Sequence, residues 1–181
     1  MKSLKIIQIL AKIIKIVCTV LTIIFIVGAS ICALSIILLP ILKDTVIYEG
    51  KSFSIIIAEN GTNYITALVA SIVAFISCGA GIFLAKYTES FFKKELELGT
   101  PFNKELVKDM RKMAVVHIVL SIVVLIIISI LIAIFESIYP EIIDIEYRFS
   151  GTIGFGLAML VISLFCDYGA ETKQEDNNEV L

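Results

Sequence analysis

Four apolar runs, each long enough to cross a lipid bilayer, limit the folds open to this chain. They cover residues 16–41, 64–85, 114–135 and 150–168. In residues 114–135, seventeen of twenty-two residues are Ile, Leu, Val or Phe, and about 20 apolar residues suffice for a transmembrane helix. Because lipid offers no partner to backbone polar groups, each run must pair them internally as a helix. The sequence predicts an all-α, polytopic membrane protein whose four transmembrane helices form an up-down bundle.

The overall composition supports the same class and excludes others. Apolar residues make up 59% of the chain and charged residues 18%, a balance far from that of soluble domains. The net charge of −2 gives no basic excess of the kind that binds phosphate backbones. We therefore expect the lipid bilayer, with its anionic headgroups, to be a partner of this chain, and no direct contact with nucleic acid.

The distribution of basic residues predicts the orientation. Four lysines precede residue 16, seven basic residues lie in the loop 86–113, and only three lie in the other two loops. Lys and Arg concentrate on the cytoplasmic side of membrane proteins. The loop 86–113 and both termini are therefore predicted to be cytoplasmic, and the lysines before residue 16, set among Ile and Leu, predict an amphipathic helix at the inner interface.

The first apolar run has a second interpretation as a cleaved signal peptide. Basic residues precede it, and small residues follow at Gly28, Ala29 and Ser30. However, the run continues without charge to Lys43, well beyond the roughly 7–15 apolar residues of a signal peptide. The sequence favours a retained span and leaves cleavage as the alternative.

The loop 86–113 is predicted to contain two helices, residues 86–98 and a second from Lys104 onward. Gly99 suits a left-handed helix C-cap, and Asn103 can accept a backbone N–H as an N-cap. The second helix carries an apolar face that should lie on the bilayer or on the base of the bundle. The candidate interaction surface of this loop consists of Phe102, Leu106, Lys108, Arg111 and Lys112.

Small residues at spacings of four predict where helices pack closely in lipid. In the second run these are Ala70, Ala74, Ser77 and Gly81, and in the fourth they are Gly154 and Ala158. The predicted contact joins the second and fourth helices. A path lined by the small residues is the alternative, and a homo-oligomer also stays open.

Two segments outside the runs have simpler predictions. Residues 45–57 alternate around Glu49 and Gly50, which indicates a short hairpin. After a helix end near residues 166–169, the acidic tail 170–181 is predicted to be disordered because it has too little apolar surface to bury.

Residue types that carry chemistry are scarce. The cysteines Cys18, Cys32, Cys78 and Cys166 show no metal-ligand spacing, and the single histidine, His117, has no second ligand near it in sequence. The four runs contain no charged residue before Asp167, at the end of the fourth, whereas ion-coupled transporters usually keep one at depth. The sequence predicts no enzyme activity, no cofactor and no metal.

The turn Gly99-Thr100-Pro101-Phe102-Asn103, the basic helix after it and residues 164–171 at the end of the fourth run resemble a bacterial family of four-span membrane proteins, the domain of unknown function 2975. Asn103 departs from that family, where a hydroxyl residue is usual, as does Thr172, where a leucine is usual. The resemblance implies a four-span fold in the bacterial cytoplasmic membrane and a regulatory partner, and it implies little about activity.

Two function classes follow from these observations. The favoured hypothesis is a non-enzymatic membrane anchor or regulatory protein whose loop and tail engage a cytoplasmic partner. The alternative is a small transporter, exporter or bacteriocin-immunity-type protein that acts as an oligomer.

Overall fold

The computed structural model describes residues 2–45, 47–48, 51–52, 64–99, 103–139 and 151–179. Within these ranges the protein is helical apart from one short hairpin. The elements are α1 (Lys2–Thr45), β1 (Ile47–Tyr48), β2 (Lys51–Ser52), α2 (Tyr64–Leu98), α3 (Lys104–Ile138) and α4 (Gly151–Glu179).

All four helices are long and apolar enough to cross a membrane, which confirms the predicted all-α class. At about 1.5 Å per residue, a helix of the length of α2 reaches about 52 Å, whereas the hydrocarbon core is about 30 Å thick. The helices α1 to α3 therefore extend well beyond the apolar runs that they contain, and the predicted helices of the loop 86–113 are continuations of α2 and α3.

The turn between α2 and α3 has the predicted caps. Gly99 adopts a φ of 73°, and its N–H donates to the carbonyl of Glu95 at 3.0 Å, which ends α2 in a left-handed C-cap. Asn103 accepts the backbone N–H of Glu105 on Oδ1 at 2.9 Å, which begins α3. Both capping predictions are confirmed.

The hairpin prediction is also confirmed. The strands β1 and β2 pair antiparallel, with Ile47 opposite Ser52 and Tyr48 opposite Lys51. The register leaves residues 49 and 50 between the strands, as expected for a two-residue loop.

The contacts of the chain group into two units. The basic unit comprises Met1–Ile23, Ile82–Ile122 and Phe149–Leu181, and the apolar unit comprises Ile24–Gly81 and Val123–Arg148. Twelve of the fifteen basic residues fall in the basic unit. Its core is formed by Ala11, Phe91, Phe92, Leu106, Val107, Met110, Met113, Ala114, Met159 and Cys166.

Within the apolar unit, α1 and α2 meet at small residues. A Cβ placed on Gly81 would lie 2.8 Å from the Phe25 ring, and one on Gly28 would lie 3.2 Å from Sγ of Cys78. Gly81 therefore admits the Phe25 ring, so it is a packing residue as predicted, but this contact is with α1 and not with the predicted fourth helix. Ala74 and Ser77 are half-buried.

Three other residues that were predicted to pack between helices do not do so in the structure. Ala70, Gly154 and Ala158 are exposed, and a Cβ on Gly154 would meet nothing within 4 Å. The close approach in the fourth helix is made by Gly156, where a Cβ would lie 2.8 Å from Cγ1 of Ile118 and 3.0 Å from the carbonyl oxygen of Ala114. The close approach of α4 at a glycine is therefore to α3, whereas α4 meets α2 through larger core residues such as Phe91 and Met159.

The end of the chain also differs from its prediction. Residues 170–181 were expected to be disordered, but α4 continues to Glu179 and Ala170 is 4% exposed. Extending an existing helix requires no new nucleus, and the Ala, Glu, Lys and Gln of this segment are good helix formers. Low hydrophobicity alone therefore gave the wrong prediction for the secondary structure of this segment.

Candidate functional site

The polar ends of α2 and α3 are joined by one shared cation. Lys94 on α2 donates to Glu105 at 2.8 Å and to Asp109 at 2.6 Å, both on α3. The hydrogen bonds to Asp109 and Glu105 raise the pKa of Lys94 to about 12, and the bond from Lys94 lowers the pKa of Asp109. These residues lie outside the apolar runs, and their attraction fixes the two helices on either side of the Gly99 turn.

A second ion pair joins α3 to α4. Arg111 donates to the carboxylate of Asp167, and Lys112 lies 3.7 Å from Asp109 on its own helix. Two cations of the predicted interaction surface are therefore engaged within the unit. Arg111 joins α3 to α4, Lys112 is paired within α3, and both are less available to an outside partner.

The remaining residues of that surface separate into two groups. Leu106 is 0% exposed and lies in the core, so it cannot touch a partner, and the interpretation that this face lies on the base of the bundle is the one that fits. Phe102 lies outside the described residues. Lys108 is exposed, as is Lys104 one turn before it. Neither lysine forms an ion pair with another described residue.

A buried polar row runs through the basic unit near His117. The Thr88 hydroxyl lies 3.1 Å from Nε2 of His117, and Nδ1 lies 2.9 Å from the Met113 carbonyl oxygen. Ser121 donates to the His117 carbonyl oxygen at 2.6 Å and approaches the Thr152 hydroxyl at 2.7 Å. With its proton on Nδ1, a neutral imidazole donates to the Met113 carbonyl oxygen. The Thr88 hydroxyl also lies 2.8 Å from the Leu84 carbonyl oxygen, so its one proton is shared between that oxygen and Nε2. The row therefore pairs its polar groups internally and joins α2, α3 and α4.

Glu95 is a buried acidic residue whose environment the sequence did not predict. It is 7% exposed, on the same face of α2 as the core residues Phe91 and Phe92. No ion pair from another described residue reaches it, and burial raises its pKa. Its spacing of three and four from the two phenylalanines is the signal that could have placed it on the core face.

We expect Glu95→Gln to stabilise the protein at neutral pH. A folded-state pKa raised above the ordinary 4.5 means that the contribution of Glu95 to stability is greatest below that value and is lost as the pH rises through the folded pKa. The uncharged amide avoids that loss. The variant should unfold at a higher temperature than wild type at about pH 8, by about 2–4 °C for each kcal/mol gained, with the difference shrinking towards about pH 4, when thermal unfolding is followed in detergent.

The matched control is Glu97→Gln, because Glu97 is exposed two residues away on the same helix. This variant should show no such pH-dependent gain. An equal gain for both variants, or a gain for Glu95→Gln that does not change with pH, would contradict the assignment of Glu95 as a destabilising buried carboxyl.

The described residues of the chain do not form a metal-binding site or a site with an activated nucleophile. Among those residues no three His, Cys, Asp or Glu side chains are placed to hold a metal ion. The four cysteines are free. The candidate site is therefore the charged, accessible end of the basic unit, where Lys104 and Lys108 stand beside helices locked by ion pairs.

Comparison of the chain with protein-family models, with curated proteins and with solved structures finds no match.

Proposed function

We propose that this protein is a non-enzymatic membrane anchor that presents the end of α3 to an acidic protein partner in the cytoplasm. The proposal depends on a difference between two groups of basic residues. Lys104 and Lys108 are exposed and form no ion pair with another described residue. Lys94, Arg111 and Lys112 are each paired with an acidic residue. The unpaired lysines lie on a rigid, packed support.

The side of α3 that carries these lysines favours a partner in water over lipid. The exposed residues of α3 before its apolar run are all charged: Lys104, Glu105, Lys108, Arg111 and Lys112. The first exposed apolar side chain of this helix is Val115. An apolar stripe is what lays a helix into a membrane surface, and the described residues of α3 present none before Val115.

Transport is the competing function, and the polar row at His117 is the feature that would serve it. Its ring nitrogens and the hydroxyls of Thr88 and Ser121 already have partners within the unit. A row with satisfied polar groups joins helices without an opening for a solute. This supports an anchoring role in preference to a path through the bundle.

The proposal includes location and family. The excess of basic residues around residues 2–15 and 86–112 supports a bacterial cytoplasmic membrane location with both termini inside. Membership in the domain of unknown function 2975 stays a prediction that depends on the turn at residues 99–103 and the end of α4. A partner encoded beside the gene would fit that membership.

The test places a photoreactive residue at position 105, which is exposed beside the two lysines, in the full chain and crosslinks it in living cells. We expect one protein to be captured in near-stoichiometric amount, and its capture to fall at least tenfold when Lys104 is replaced by glutamate. The reversed charge should repel an acidic partner by a few kcal/mol.

The control carries the same photoreactive residue at position 126, where Ile126 is exposed on the apolar run and should meet lipid. If both positions capture the same proteins, or if Lys104→Glu leaves the capture at position 105 unchanged, the proposed interaction surface is wrong.

A further inference from the structure

A groove in the basic unit lies between the first turns of α1 and the end of α2. It has a volume of about 480 Å³ and is lined by Lys5, Gln8, Ile9, Lys12 and Leu96. Gln8 donates to the Gly99 carbonyl oxygen at 3.1 Å, which holds α1 against the end of α2. The groove therefore lies next to a hydrogen bond that joins α1 to the end of α2.

The groove combines two cations with apolar walls. Lys5 and Lys12 are exposed, and neither forms an ion pair with another described residue. They are seven residues apart, two helical turns, so they lie on the same side of α1. Ile9 lies between them on that side, and Leu96 contributes from α2. Such a lining suits an anion that carries its own apolar part.

The side chains around the groove indicate which class of anion it would fit. Here α1 exposes large apolar side chains interleaved with the lysines: Ile6 is 65% exposed, Ile9 60%, Leu10 56% and Ile13 51%. Exposing such a surface to water is unfavourable, whereas placing it at the boundary between headgroups and acyl chains is favourable. The described start of α3 exposes only charged side chains. The bilayer surface therefore borders α1 at this groove.

We propose that this groove is a binding site for an anionic phospholipid. The ammonium groups of Lys5 and Lys12 would bind its phosphate and the rest of its headgroup, and Ile9 and Leu96 would contact its glycerol and upper acyl carbons. Basic pockets between helices at a membrane face are the kind of site that selects such headgroups. This inference is independent of the partner proposed for Lys104 and Lys108.

The test is native mass spectrometry of the full chain in detergent, titrated with phosphatidylglycerol and, separately, with phosphatidylcholine. Phosphatidylglycerol should bind in a defined stoichiometry and phosphatidylcholine should bind much more weakly. Each lysine near an anionic headgroup is worth roughly fivefold in affinity. The double variant Lys5→Gln and Lys12→Gln should therefore bind phosphatidylglycerol about 30-fold more weakly than wild type.

The matched control is Lys104→Gln with Lys108→Gln, which removes the same charge from α3 and should change binding less than threefold. If the double variant on α1 does not fold, the single variant Lys12→Gln should still lose roughly fivefold. Equal losses from both pairs would show general charge attraction and overturn the site. Unchanged binding by the α1 variants, or displacement of the lipid by inorganic phosphate or by an acidic peptide at the same concentration, would also overturn it.

Discussion

Replacing Leu106 by alanine should lower the free energy of unfolding by about 2–5 kcal/mol, the usual cost of removing a fully buried leucine side chain. Leu106 is 0% exposed and lies among Phe91, Met110 and Met113 in the core of the basic unit. This part of α3 lies outside the apolar run, so the side chain is withdrawn from water and not from lipid. The measurement is chemical or thermal unfolding of the purified chain in mild detergent.

The control for this prediction is Lys108→Ala, two residues further along the same helix. Lys108 is exposed, and a surface substitution of this kind usually changes stability by less than about 0.5 kcal/mol. If Leu106→Ala proved as mild as Lys108→Ala while weakening the binding of a partner, Leu106 would belong to an accessible surface and the described packing of α3 would be wrong.

Replacing Gly156 by leucine should separate α4 from α3. Even the Cβ of the new side chain would lie 3.0 Å from the backbone oxygen of Ala114 and 2.8 Å from Cγ1 of Ile118. Backbone cannot yield as a flexible side chain can, and overpacking of a well-packed contact costs about 1–3 kcal/mol. We expect a lower unfolding temperature and a smaller fraction of monodisperse protein after detergent extraction.

Gly154→Leu is the comparison that isolates this contact. It introduces the same side chain two residues earlier in the same helix, where a Cβ would meet nothing within 4 Å. Because the two variants gain about equally in helix propensity, up to about 1 kcal/mol, their difference reports packing alone. Equal stability of the two variants would mean that α4 does not approach α3 at Gly156.

The features that the sequence predicted correctly are those that depend on local chemistry. An apolar run in lipid has few alternatives to a helix, and caps need only the residue at the helix end, as Gly99 and Asn103 show. The hairpin around residues 49 and 50 belongs to the same class, because its turn and its paired residues are adjacent in sequence.

The features that the sequence did not predict depend on which side of each helix meets which neighbour. Gly154 and Gly156 are both small and both near the start of α4, but only Gly156 faces α3. Spacing alone could not distinguish them, because a glycine can face lipid as readily as it can face another helix. The candidate interaction surface wrongly included Leu106, and the burial of Glu95 was not predicted, because hydropathy alone does not show a core formed by helix ends beyond the apolar runs.

The candidate site was predicted only in part. Lys108 is accessible as expected, whereas Arg111 and Lys112 have acidic neighbours from other turns and helices. The partner of Arg111 is Asp167, 56 residues away, and only the packed structure brings the two together. The groove at Lys5 and Lys12 likewise needs Leu96 from a distant part of the chain.

The short connection between α2 and α3 has a consequence for how the protein is made. Its two caps, Gly99 and Asn103, are four positions apart, and the contacts that join α2 to α3 at Lys94 and between Thr88 and His117 link residues at most 29 positions apart. Contacts of such short range form fast, and both helices leave the ribosome before α4. The second and third segments are therefore suited to enter the bilayer together as a preformed antiparallel pair, on which the first and fourth segments can then assemble.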